Sequence, residues 1–330
     1  MIQGSTSAHI TTGPDLFNIT RSCSISYNMT GNSDPSMFAG NEFLDSTVVF
    51  SNGTVVALSH TEYPGDKYNN CPGPHYPHCW TVTTGLMISY DFGTTWQHAK
   101  PPPSHLVAAV PYAYNATQLA SGWGDPTNIV EASDGFYYVA MWNRNQVGLQ
   151  APGVCMMRTE SLLEPSSWRG WNGTSYGTTF VSPYHRSNDP HWNPAQHLCK
   201  VLDVDASVLN PTKCSPFGLV WSTSLKLYLM SWSCLSDGPF YMTSSSDLIH
   251  WSTPQRFYEK SMLSPSISRH VTSIHYPSLI DPRAPLLYKD PNYSTITSEP
   301  YLFWVSFGHS PYSDGRTVWA TPLRIRSNKA

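Results

Sequence analysis

The chain has 330 residues, 40% apolar and 13% aromatic, enough for one large all-β ring or for two ordinary domains. Only 12% are charged, the formal net charge is −3 and no Lys/Arg run occurs, which argues against nucleic acid or an anionic membrane as a partner. The 28 Pro and 21 Gly follow no G-X-Y period and mark many tight turns between short strands.

Six Asn-x-Ser/Thr sequons, at Asn18, Asn28, Asn52, Asn115, Asn172 and Asn292, accompany seven Cys. Together they predict a secreted, disulfide-bonded glycoprotein. Pairs Cys71–Cys79 and Cys199–Cys214 are expected, with Cys23, Cys155 and Cys234 leaving one thiol over. No apolar run approaches the ~20 residues of a membrane span, and the first residues lack a signal-type apolar core, so an exported form would have lost its signal. A monomer is expected.

In chain order, residues 1–40 are polar and turn-rich and read as an arm that closes or covers the remainder, with 41–330 as a single domain. Ser46–Phe50 and Val55–Ser59 flank an Asn52-Gly53 corner and predict a hairpin, to which Leu86–Tyr90 and Trp96–His98 add two strands. Thr61–Trp80 is a long insertion in this unit. A second unit repeats the order: Thr127–Glu131, Phe136–Trp142, Val154–Thr159 and Trp168–Trp171. A third runs Gly218–Ser222, Leu227–Trp232, Phe240–Ser244 and Trp251–Phe257, and a fourth Ser278–Asp281, Tyr301–Phe307 and Thr317–Ile325. No helical periodicity reaches three turns, so the fold class is all-β.

Ser89-Tyr-Asp-Phe-Gly-Thr-Thr-Trp96 resembles the Asp-box of sialidases and related β-propellers, S-x-D-x-G-x-x-W, and Ser245–Trp251 is a shorter relative. Such a stretch closes on Ser and Asp hydrogen bonds and plugs a wedge with its Trp, which predicts Trp96, Trp168 and Trp251 buried between blades. Phe43–Thr54, with Asp45 opening a strand before an Asn-Gly turn, and Gly124-Asp125-Pro126 leading to Asp134-Gly-Phe-Tyr-Tyr138 resemble the first two blades of the five-bladed propeller glycosidases, the arabinanase/xylosidase and invertase/levanase-like superfamily. The resemblance implies a β-propeller, with five blades expected and six the alternative. The fifth blade would be assembled from the arm and 180–204.

In propellers the starts of the inner strands face a central funnel, and here these lie near Glu42–Asp45, Gly124–Thr127, Ser215–Gly218 and His275–Ser278. The resemblance therefore implies a hydrolase of poly- or oligosaccharide. Asp45 is expected as ionised base or nucleophile, Glu62 as acid with a pKa raised by burial, and Asp125 as an orienting carboxylate. The chain departs from the superfamily in having no Glu-Gly-Pro or Glu-Cys-Pro stretch, which supplies its usual acid; Glu62 is expected as the acid because a Glu held beside aromatic residues in a closed funnel has its pKa raised by desolvation. His60, Tyr63, Trp142 and His275 are expected to bind substrate, with His60 and Glu62 on one side of a strand and Tyr63 on the other. A lyase using His60 and Tyr63, and a carbohydrate-binding propeller without catalysis, stand as alternatives. The plainer readings are that Asp45 and Asp125 cap turns and that His60 and Glu62 form a structural pair. His185, His191 and His197 match no zinc signature. No cofactor is expected, a structural Ca2+ being left open.

Overall fold

The computed structural model describes residues 2–3, 7–73, 77–184, 189–234, 238–268, 271–308 and 315–326. The chain divides into two units, Met1–Val201 and Leu202–Ala330. Each holds two blade-like antiparallel sheets, so four blades are present among the described residues.

In the first unit, blade one is the meander β1 (Asn41–Val49), β2 (Val55–Pro64) and β3 (Trp80–Ser89), with β4 (Gln97–His98) and β5 (Leu106–Ala108) both pairing with β3. The Asn52-Gly53 corner forms as the dipeptide predicts: Gly53 takes a φ of 87° and its N–H donates to Phe50. β2 and β3 run longer than the sequence pattern indicates. Their extra residues shorten the expected insertion to a loop of 65–79 closed by a Cys71–Cys79 disulfide. Blade two orders β6 (Val130–Glu131), β7 (Tyr137–Asn143), β8 (Gly153–Thr159), β9 (Arg169–Gly170) and β10 (Thr178–Thr179).

Blade one is packed on both faces, which is why β2 is buried along nearly its whole length rather than at alternate residues. One face contributes Val56, Leu58, Leu86 and Ile88 to a core shared with Val139, Met141, Cys155, Met157 and Trp168. The other contributes Leu44, Ala57 and Met87 to a core with Ala8 and Tyr27 of the arm and with Trp96. The arm itself pairs Ser7–His9 with Tyr27–Asn28.

In the second unit, β11 (Cys214–Ser222), β12 (Leu227–Cys234), β13 (Phe240–Ser245) and β14 (Gln255–Tyr258) form blade three. β15 (Ser273–Ile280), β16 (Tyr301–Phe307) and β17 (Arg316–Pro322) form blade four. Their shared core contains Val220, Leu229, Phe240, Ile274, Leu302 and Trp304. The region 180–204, expected to supply part of a fifth blade, holds a single 3-10 turn, Pro194–His197, and no strand among its described residues.

Two expectations are corrected. Trp96 and Trp168 are buried, but Trp251 is only half-buried, since its turn is one residue shorter and Leu248, at a φ of 66°, occupies the buried place instead. Cys199 pairs with Cys155 and Cys214 with Cys234, not with each other. Cys214 and Cys234 are direct cross-strand partners of β11 and β12, a register invisible before the strands are paired. Cys23 is the free thiol and is exposed.

Candidate functional site

The starts of the inner strands are irregular in every blade, and the irregularities coincide with the candidate residues. β1 is bulged between Leu44 and Thr47, β11 between Pro216 and Gly218, and β15 between His275 and Ser278. In blade two the segment Gly124–Thr127 bridges to Trp142 and Ala140 through backbone hydrogen bonds, yet Asp125 stands at a φ of 47°. A bulge or a left-handed residue interrupts the pleat and re-aims the side chain. Thr127 compensates for the lost ladder bond by accepting the Ala140 N–H on its hydroxyl at 3.1 Å.

In the first unit these devices gather Asp45, His60, Glu62 and Asp125. His60 is the hub. Its Nε2 lies 3.3 Å from Glu62 Oε1, and its Nδ1 accepts the backbone N–H of Asp125 at 2.8 Å, with Asp125 Oδ1 3.4 Å away. Residue 124 must be Gly for this approach: a Cβ there would stand 2.3 Å from Val82 Cγ1 and 2.7 Å from His60 Nδ1. The hydroxyl of Ser46, beside Asp45, donates to the carbonyls of Pro126 and Thr127 and ties the β1 bulge to the Asp125 segment.

His60, Glu62 and Asp125 line a cleft of about 470 Å³, mouth included, walled by Trp80, Trp142, Val82, Gly122 and Arg144. Aromatic faces around a few convergent polar groups are the usual make-up of a small-molecule pocket. The Arg144 guanidinium stands 6.0 Å from the Trp142 ring. Asp45 is not part of this wall. It sits at the bulge just past the Phe43–His60 and Leu44–Ser59 pairs and interacts electrostatically with His60, Asp125 and Glu62.

Asp45 is solvent-accessible and yet ringed by protein, as a residue in a concavity is. Loss of bulk water pushes its carboxyl up to about 7, with Asp125 and Glu62 adding to the rise and His60 opposing it. Burial likewise raises Asp125, with Glu62 adding, while His60 and Arg144 oppose. For His60, burial disfavours the charged ring, but Asp125, Glu62 and Asp45 outweigh it and push the ring up to about 9. The Asp125 N–H works the other way, because a protonated Nδ1 has no lone pair to accept it. The 2.8 Å contact is therefore that of the neutral ring, with Nε2–H donating to Glu62. Asp45 faces the carboxylates of Asp125 and Glu62, whereas Glu62 Oε1 lies 3.3 Å from His60 Nε2.

Tyr63 alternates away from His60 and Glu62. It is buried on the arm side of β2, donates to the Ser33 carbonyl, and packs against Tyr68 and Tyr114. His275 belongs to the second unit, where it lies 3.0 Å from the Ser273 hydroxyl and edge-on to Phe307. His197 stacks on Trp192, while His185 lies outside the described residues. Trp80 and Arg144 escaped the sequence reading, since nothing in their local pattern separates a cleft wall from a strand end.

No family model and no curated protein matches this sequence. Solved structures do. A thermostable family-43 glycoside hydrolase matches with a TM-score of 0.51 at 9% identity, over 98% of this chain and 83% of that one. RS223 β-xylosidase matches at 0.51 and 11% identity over 99% and 85%. The exo-β-1,3-galactanase of Phanerochaete chrysosporium matches at 0.52 and 10% identity over 98% and 58%. The chain thus has the all-β propeller fold of glycoside hydrolases of the family-43 type, with four blades detected.

Proposed function

We propose that this protein is a secreted glycoside hydrolase acting on poly- or oligosaccharide. The observation that carries the reading is the meeting of Glu62 and Asp125 on either side of His60, in a cleft walled by Trp80 and Trp142 and under the influence of Asp45. Two carboxyl groups in different environments are what acid–base cleavage of a glycosidic bond requires. Asp45, whose carboxyl is pushed above the usual range with Asp125 and Glu62 adding to the rise, serves as the acid. Glu62, which accepts from His60, serves as the base that activates water, or as the nucleophile. Asp125 is a positioning residue: its N–H sets the His60 tautomer, and its carboxylate, with Oδ1 3.4 Å from His60 Nδ1, orients the acid or stabilises the transition state. Trp142 and Trp80 offer apolar faces to sugar rings, and Arg144 a donor to hydroxyls.

The same reading takes Ser89–Trp96 as an Asp-box. Ser89 Oγ accepts the Gly93 N–H at 2.8 Å, Asp91 accepts the Thr95 N–H at 2.9 Å, and Trp96 Nε1 donates to the Gly93 carbonyl. Three disulfides fit an oxidising compartment, and Asn18, Asn28, Asn52, Asn115 and Asn172 are exposed enough to carry glycans. No helix among the described residues is long and apolar enough to cross a membrane. We take 41–330 to work as one monomeric propeller covered by the 1–40 arm.

A panel of arabinan, xylan, galactan and oligosaccharides, assayed for new reducing ends, tests the activity. Reducing ends without an unsaturated sugar support hydrolysis; an ultraviolet-absorbing product establishes a lyase instead, and binding without cleavage a lectin.

A further inference from the structure

On the face of blade one opposite His60 and Glu62 lies a second cluster of ionisable groups, for which the proposed hydrolysis has no use. Glu42 of β1, His98 of β4 and His105, immediately before β5, each bring a ligand atom within 4.8 Å of the other two. Strand alternation separates the two sites, since Glu42 and Leu44 point to the arm-facing core while Phe43 and His60 point the other way.

The chemistry of the three groups is specific. Glu42 is fully buried, with Oε1 2.6 Å from His98 Nε2 and Oε2 accepting from the Tyr27 hydroxyl at 2.5 Å and Thr30 Oγ1 at 3.0 Å. His105 is also fully buried, and its Nε2–H donates to the Phe38 carbonyl at 3.1 Å. That bond fixes the tautomer and leaves the Nδ1 lone pair without a partner. The two imidazoles lie 4.3 Å apart, centroid to centroid. The backbone makes room for this ring: a Cβ on Gly85 of β3 would stand 2.6 Å from His105 Cδ2. An imidazole with one nitrogen tied to a carbonyl and the other unpaired, close to a carboxylate and a second imidazole, is the arrangement of a metal ligand with its outer-shell partner. A buried acceptor left unpaired otherwise carries its desolvation cost uncompensated.

We propose that Glu42, His98 and His105 bind a divalent transition-metal ion of the zinc class, clamping the N-terminal arm to blade one. Two imidazole nitrogens and one carboxylate suit zinc and its neighbours, whereas Ca2+ and Mg2+ call for an all-oxygen set. Binding replaces the contact between His98 Nε2 and Glu42 Oε1: the neutral ring carries its one proton on Nδ1 and presents the Nε2 lone pair to the ion, which then faces the carboxylate directly. The arm takes part through Tyr27 and Thr30 on the carboxylate and through the Phe38 carbonyl on His105.

The test uses the full, untagged chain. It is stripped with chelator, dialysed, titrated with zinc or cobalt, and assayed for metal content, visible absorption and melting temperature. About one tightly held zinc per chain, a cobalt spectrum of low-symmetry nitrogen/oxygen ligation and a rise of Tm with free zinc are expected. His98→Gln and His105→Gln should each weaken zinc by more than the roughly 10–100-fold that loss of an outer-shell partner costs. No uptake by the folded wild-type chain overturns the proposal, and so does zinc retained undiminished by both variants. Should neither variant fold, the wild-type titration decides alone.

Discussion

The backbone N–H of Asp125 donates to Nδ1 of His60 at 2.8 Å, joining residues 65 positions apart. The contact depends on Gly124, which lets blade two come against the ring of a blade-one histidine. Gly124→Ala should therefore force the two segments apart, with overpacking costing about 1–3 kcal/mol. Denaturant melts measure the loss, and a change in the His60 tautomer seen by 15N NMR would locate it.

Asp125 itself occupies left-handed backbone, at a φ of 47°. That conformation costs a non-glycine residue about 1–2 kcal/mol, against about 0.5–1 kcal/mol of extra unfolded-state freedom for glycine. Asp125→Gly should leave stability unchanged or slightly raised while activity falls sharply. A parallel loss of stability in urea melts would show that Asp125 is held for folding alone.

Asp45 is pushed up to about 7 in the folded chain, above its ordinary carboxylate value. Between these two values the folded state holds a proton that the unfolded chain has released. Stability thus falls as pH rises through that window, and is flat above it. Asp45→Asn removes the titration, so its Tm relative to wild type should climb from pH 4 to pH 7 and then level. The variant should also lose glycosidase activity, and wild-type activity should decline on the alkaline side as the proton is lost. Near-normal turnover by Asp45→Asn would remove Asp45 from the mechanism.

Trp96 and Trp251 close related turns but differ in burial. Trp96→Ala should cost about 3–5 kcal/mol through the cavity it leaves. Trp251→Ala, at a half-exposed position, should cost clearly less, and both variants should keep the cleft intact. Thermal melts of the two variants make the comparison.

Peptide mapping without reduction should return Cys71–Cys79, Cys155–Cys199 and Cys214–Cys234, with Cys23 alkylated. Replacing Cys155 and Cys199 together by Ser should destabilise by roughly 2–5 kcal/mol, since this bridge ties β8 to a loop 44 residues on.

Local chemistry made much of this protein legible from sequence. The Asn52-Gly53 corner, the Ser89–Trp96 turn, the strand meanders and the alternation of His60 and Glu62 against Tyr63 depend on neighbours a few residues away, and backbone propensity and pleat encode them directly. So did the positions of the inner-strand starts, where Gly-Asp-Pro and the residues after Glu42 announce irregular backbone. What needed the tertiary structure were the relations between distant segments. Cys155 found Cys199, and Glu42 met His98 and His105, only because sheet register and blade packing brought them together. The proposed acid and base roles depend on such relations too: whether a carboxylate holds its proton is set by the charges and the desolvation around it. For Asp45 these come from blade two and from the far end of β2, which no local pattern records.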